Sequence, residues 1–212
     1  MIVWTIQPLV VLDIIENTGV FRCDASRSSY AQDPEWNPHF KWLVGQMDER
    51  GIPHPEGVEF PVWAWYRMGW DHPKPDLRKP IYGYEGEMLC RIELEIPDNE
   101  VLLSDLEDWY LAHHYRCVIH AEDEDEYHRI EDWYNGLPVD EEGVKIYDEI
   151  TEISWDLMFD VDYEENDMLT GRVVQATFWE IRKDMIKDVK IFRSRKSAEW
   201  VPKRRISKKS QD

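Results

Sequence analysis

The chain is short of cysteine, short of cations and without a phosphate-binding glycine loop, and each shortage removes a class of function. Cys23, Cys90 and Cys117 are an odd 3 with no C-x-x-C spacing, which excludes a disulfide framework and a zinc finger and leaves free thiols. No G-x-S-x-G elbow, H-E-x-x-H pair or kinase signature occurs, so several large enzyme classes drop out. No apolar run is long enough to span a bilayer. The opening Met1-Ile2-Val3-Trp4-Thr5-Ile6-Gln7 has neither the basic nor the apolar region of a secretory signal, so the expectation is a cytoplasmic protein without membrane contact. Lys and Arg number 25 against 44 Asp and Glu, a net charge of −19.

The deficit of positive charge is uneven. Between Glu93 and Asp167 there are 26 carboxylates against 3 Lys or Arg, whereas Arg193, Arg195, Lys196, Lys203, Arg204, Arg205, Lys208 and Lys209 make the end of the chain basic. An acidic body repels nucleic acid, which argues against direct binding there unless the surface imitates a phosphate backbone. A solvated acidic face and a docking face for a basic protein partner, through residues 93–167, both fit the charge.

What the chain has in excess is rings. The 11 tryptophans are many for 212 residues, and Phe60-Pro61-Val62-Trp63-Ala64-Trp65-Tyr66-Arg67 crowds several into one strand-like run. The loop Lys74-Pro75-Asp76-Leu77-Arg78 follows, with a carboxylate and cations on a proline-stiffened backbone.

The remaining periodicity places the elements. A strand over Met1–Gln7 leads to a helix carrying Leu9, Leu12 and Ile15 that ends at Gly19, and Asp33-Pro34-Glu35 opens a helix with Trp36, Phe40, Leu43, Val44 and Met47 on one face. Met88 to Ile96 alternates as a half-buried strand. Ser104-Asp105-Leu106-Glu107 has capping-box spacing before Trp109, Tyr110 and His113, an acidic helix runs through Tyr127, Ile130 and Trp133, and a short one starts near Ser154. Val173 to Ile181 and Val189 to Phe192 are strands joined by a turn. Strands bracket the chain and helices fill its middle, without βαβ alternation. The expected fold is α+β, a single domain over residues 1–193 with a mixed, largely antiparallel sheet, followed by a basic tail over 194–212.

Two constellations carry chemistry. His113, His114, His120 and His128 neighbour a run of carboxylates from Glu122 to Glu126, but an acidic run on a helix is ordinarily solvated and no metal is assigned. The second is distributed over Trp4, Thr5 and Gln7, the run Trp63 to Tyr66 with Arg67, the loop Arg78, and Gln175 to Glu180. If those strands share a face they offer rings to a flat ligand, cations to an anion and one carboxylate. Equally, Trp63 is core and Arg78 pairs with Asp76.

Trp4-Thr5-Ile6-Gln7, Phe60 to Tyr66, Lys74 to Arg78, Leu102-Leu103-Ser104-Asp105, Ser154 to Phe159 and Gln175-Ala176-Thr177-Phe178-Trp179-Glu180-Ile181 occur in the order found in a bacterial and phage family of unknown function, which the chain resembles over nearly its whole body. It also resembles ADP-ribosyltransferase-like domains in the order of three strands. That resemblance implies an NAD-like nucleotide as ligand or substrate, with Glu180 hydrogen-bonding the nicotinamide ribose as the catalytic carboxylate, Tyr66 or Trp63 stacking on nicotinamide, and Arg78 on a phosphate. Thr5 and Gln7 stand where such domains carry Arg or His, and Gln175 lies five residues before Glu180 rather than two. Transfer and mere binding stay open. The other reading is a non-enzymatic acidic interaction or inhibitor protein, of phage or mobile-element type, that engages a basic partner.

Overall fold

A computed structural model describes the chain over residues 1–27, 33, 37–79, 81–139, 148–163 and 172–195. Strand β1 (Ile2–Pro8) turns directly into helix α1 (Val10–Thr18). Gly19, at φ 82°, ends α1 in the left-handed conformation a side chain resists, and its N–H returns to the Ile15 carbonyl. Strand β2 (Val20–Arg22) follows, then helix α2 (Asn37–Glu49), strand β3 (Val62–Met68) and strand β4 (Met88–Glu95). Of the expected start of α2, Pro34, Glu35 and Trp36 lie outside the described residues.

Strand β5 (Leu102–Asp105) runs into helix α3 (Leu106–His113), and helix α4 (Glu124–Asn135) and helix α5 (Asp148–Ser154) complete the helical middle. A 3-10 turn, Trp155–Phe159, continues α5. The chain closes with β6 (Val173–Phe178), β7 (Glu180–Arg182) and β8 (Ile186–Arg193).

Six strands form one antiparallel sheet in the order β5-β6-β3-β1-β4-β8, and β2 pairs with β7 in a small second sheet. The period of two sorts the side chains: Val62 and Ala64 of β3 go to one face and Trp63 to the other. On the first face Val11 and Ile15 of α1 join Val3, Ile92, Leu94, Ala176 and Phe178 in an aliphatic core. On the second, Phe40, Leu43 and Met47 of α2 and Trp109 of α3 pack with Trp155, Met158 and Leu102, a core made largely of rings. At about 25 cal/mol per Å² of apolar surface, these two layers supply the dominant stabilisation. The fold is α+β, and its sheets are wholly antiparallel among the described strands.

Three details depart from the sequence reading. Ser104 belongs to β5, and the cap of α3 is Asp105, whose Oδ1 accepts from the N–H groups of Glu107 at 2.8 Å and Asp108 at 2.9 Å. The strand expected over 173–181 breaks at Trp179. Continuing it would carry Glu180 onto the buried face beside Ala176 and Phe178, so the chain bends and delivers Glu180 to the second sheet. Finally, β8 starts at Ile186, earlier than Val189, after a 3-10 turn Lys183–Met185.

Ser194, where the tail is expected to begin, is buried, with its N–H on the Glu87 carbonyl at 2.8 Å and its hydroxyl on the Tyr82 carbonyl. Residues 196–212 lie outside the described residues. Among the described residues no helix is long and apolar enough to cross a membrane.

Candidate functional site

The residues singled out from the sequence divide between the sheet and its two ends. Register aligns Ser104, Gln175, Trp65, Trp4, Glu93 and Asp188 in one row across all six strands. Within that row the Trp4 indole N–H donates to Glu93 at 3.0 Å, and Lys74 pairs with the same carboxylate. Ser104 Oγ and Gln175 Nε2 are buried and meet no hydrogen-bond partner among the described residues. Thr5 lies on the opposite face, fully buried, its hydroxyl donating to the Trp63 carbonyl at 2.7 Å and accepting from Gln7 Nε2 at 2.7 Å.

Trp63 packs on Trp109, ring centroids 5.3 Å apart, and on Phe40. Tyr66 meets the His72 ring at 4.6 Å, and His72 in turn meets Trp4 at 4.7 Å. Phe60, Trp63 and Tyr66 of the aromatic run are therefore engaged in packing. Arg67 reaches Asp162 at 3.1 Å and the Val161 carbonyl, which ties β3 to the segment before residue 163.

Glu180 and Arg78 are not in this row. Glu180 lies in a concave pocket of about 220 Å³ that it shares with His54, Glu100, Trp179, Arg182 and Met185. The pocket exists because the chain bends at Trp179: that residue turns into the ring core while Glu180 and Arg182 follow β7 outward. His54 stacks flat on Trp179, centroids 3.7 Å apart and planes within 6°. The imidazole is held there by Asp48 at 2.8 Å and the Val58 carbonyl at 2.6 Å. Trp179 Nε1 is buried and meets no acceptor among the described residues.

Charge in the pocket is balanced. Arg182 contacts Glu100 at 2.9 Å and Glu180 at 3.3 Å, and Glu180 also accepts from Arg22 Nε at 2.8 Å. The hydrogen bond that Arg182 donates to Glu100 holds its guanidinium above its ordinary value. Such a site presents carboxylates to hydroxyl groups, with a guanidinium shared between those carboxylates, beside ring walls.

Arg78 lines a different pocket, with Leu77, Lys190 and Phe192. Phe192 pairs with Leu89 on β4, and the path from Leu89 to Ile96 at the Glu180 pocket is roughly 23 Å at about 3.3 Å per residue. The structure does not bring Arg78 and Glu180 together.

The sequence reading missed a buried polar cluster. Arg172, just before β6, contacts Asp108 at 2.7 Å and Asp105 at 3.3 Å, and His120 contacts Asp108 at 3.0 Å. The Tyr163 ring lies flat on His120 at 3.8 Å, and its backbone carbonyl accepts from Arg172 at 2.8 Å. Burial pushes the Asp105 carboxyl up, despite its cap bonds and Arg172. At Asp108 burial pushes the same way, but the His120 and Arg172 contacts outweigh it and hold that carboxyl below its ordinary value. Asp105 was visible in the sequence only as part of a capping box, and nothing linked it to Arg172.

A second buried group is His39 and His113, whose rings lie 5.0 Å apart with Tyr115 and Trp155 around them. Burial lowers both, His113 to about 4. Among the described residues no group of three His, Cys, Asp or Glu could hold a metal ion.

A family model described as Domain of unknown function (DUF3841) matches residues 2–187, and the chain belongs to that family. No curated protein and no solved structure matches it.

Proposed function

We propose that this DUF3841 chain binds a nucleotide of the NAD type, with the ribosyl-phosphate part of the ligand in the pocket between His54, Trp179 and Glu180. The observation that carries the reading is the convergence of Glu100, Glu180 and Arg182 in a ring-walled hollow. Two carboxylates accept from ribose hydroxyls, the guanidinium takes an anionic group, and the ring pair borders a flat base. A volume of about 220 Å³ is below the ~300 Å³ at which pockets enclose a drug-sized molecule, so it holds part of a dinucleotide and leaves the rest outside.

Binding, rather than ADP-ribosyl transfer, fits the charges. A glutamate held by Arg22 and Arg182 is already neutralised, which weakens the stabilisation it offers to a developing oxocarbenium charge. Titrating NAD, ADP-ribose and AMP by calorimetry tests the reading. Arg182→Ala and Glu180→Gln are expected to weaken binding about tenfold each. Absence of heat at millimolar ligand, or unchanged affinity in both variants, overturns it. Nicotinamide release assayed beside the titration separates transfer from binding.

A second reading is favoured by α4. Its first turn carries Glu124, Asp125 and Glu126, none of its residues is buried, and Trp133 is exposed. An acidic, ring-bearing helix suits a basic protein partner. Capture that resists salt, or survives charge removal over Glu122 to Glu126, counts against it.

A further inference from the structure

We infer that the pocket at the end of β8 is an anion site for phosphate groups, separate from the Glu180 pocket. It is an open hollow of about 480 Å³, and every charged residue lining it is a cation: Arg78, Lys190, Arg193 and Arg195. In a chain of net charge −19 such a concentration is unusual. Lys190, Arg193 and Arg195 form no ion pair among the described residues. Arg193 spends one N–H on the neutral carbonyl of Gly86 at 2.9 Å.

The site is built rather than incidental. Gly86 and Ser194 exchange backbone contacts with the strand end, the Gly86 N–H donating to Ser194 at 3.0 Å and the Ser194 N–H to Glu87 at 2.8 Å. These bonds, with the edge contact of Tyr82 on Phe192, fasten residues 82–87 against the end of β8. On the loop, Asp76 accepts the Arg78 backbone N–H at 3.0 Å and the Nε and Nη2 groups along one edge of its guanidinium at 2.9 Å each. That bidentate grip fixes Arg78 in the planar orientation with which a guanidinium meets an oxyanion.

Leu77 and Phe192 line the same pocket and add apolar surface beside the cations. Lys190, Arg193 and Arg195, held close together without ion pairs among the described residues, repel one another, and an anion with several oxygens relieves all three at once. Phosphate fits this better than a single carboxylate, because it offers more acceptors and more charge to a ring of donors.

Calorimetry of the full chain with inorganic diphosphate, and with a short single-stranded oligonucleotide, tests the assignment and separates a small phosphate from a strand. The double variant Lys190→Glu, Arg195→Glu changes two exposed residues and leaves the fold to be checked by circular dichroism. Affinity for at least one probe is expected to fall about tenfold or more, with a shallower salt dependence, by close to one unit of slope per lost phosphate contact. Loss with diphosphate assigns a small phosphate, and loss with the oligonucleotide alone assigns a strand. No binding of either probe, or undiminished binding of both by the variant, overturns the site, the latter because other cations then carry the anion. Polyglutamate binding as tightly as diphosphate also overturns it. Arg182→Ala, which disrupts the Glu180 pocket, is expected to leave diphosphate binding intact, so the two proposals fail separately.

Discussion

Arg172 and Arg78 are both arginines that grip aspartate, yet their surroundings give them opposite uses. Arg172 is 9% exposed and faces two carboxylates, Asp105 and Asp108, in the space between β6, α3 and the loop carrying His120. Arg78 is 76% exposed and closes on Asp76 two residues away in the same loop. Removing three charges from water is costly, and only close, multiply bonded geometry offsets it. The buried arginine is given over to the fold, while the exposed one keeps water, and therefore a ligand, within reach of its free edge.

Substitution at Arg172 is the sharpest way to break that comparison. Arg172→Met leaves Asp105 and Asp108 buried without their cation, and should cost about 3–5 kcal/mol, read as a lower urea midpoint. Arg172→Lys keeps the charge but loses the fork, so its loss is expected to be smaller. A midpoint unchanged by Arg172→Met would place this ion pair among those that do no more than the exposed one.

The buried histidines supply the contrasting case of ionisable groups whose charged form burial opposes. His39 and His113 are lowered from the ordinary value of 6.5 by burial, His113 to about 4, with His114 opposing protonation of both and Asp33 favouring it at His113. Between those values the unfolded chain holds more protons than the folded one, so stability falls as pH drops through the window and is regained above it. The loss should be on the order of 2 kcal/mol from about pH 7 to 4.5, and His113→Gln should flatten the dependence. Arg182 lies between the extremes, half-buried with Glu100 and Glu180. Arg182→Met should lower stability by about 1 kcal/mol at most, an effect that high salt reduces.

How much of this was legible follows from whether the signal was local. The amphipathic face of α2, the glycine stop of α1 and the alternation of β4 are each encoded within a dozen residues, and the structure has all three. Asp76 and Arg78 could be paired on paper because two positions separate them. Arg172 is 64 positions from Asp108, and β2 and β5 are short strands that gain their hydrogen bonds only from distant partners. The site divided for the same reason: order along the chain suggested one cleft for Glu180, Trp63 and Arg78, whereas the bend at Trp179 and the length of β4 set them at different places.

The exposed end of the comparison makes the smallest demand on stability and the most specific one on titration. Asp76 is held at about 2, well below its ordinary value of 3.8, chiefly by the hydrogen bonds from Arg78. Arg78→Ala should leave the urea midpoint nearly unmoved, because the pair sits at the surface, where such pairs contribute little. It should return the Asp76 carboxyl toward the ordinary range, followed by the pH dependence of its side-chain carbon resonance. Diphosphate on the free edge of the guanidinium at the inferred anion site should produce part of the same shift in the parent chain by weakening the hold of Arg78 on Asp76, and none in Arg78→Ala. A carboxyl that titrates identically with and without diphosphate would mean that Arg78 stays closed on its own loop, bound to its aspartate no less firmly than Arg172 is to its pair.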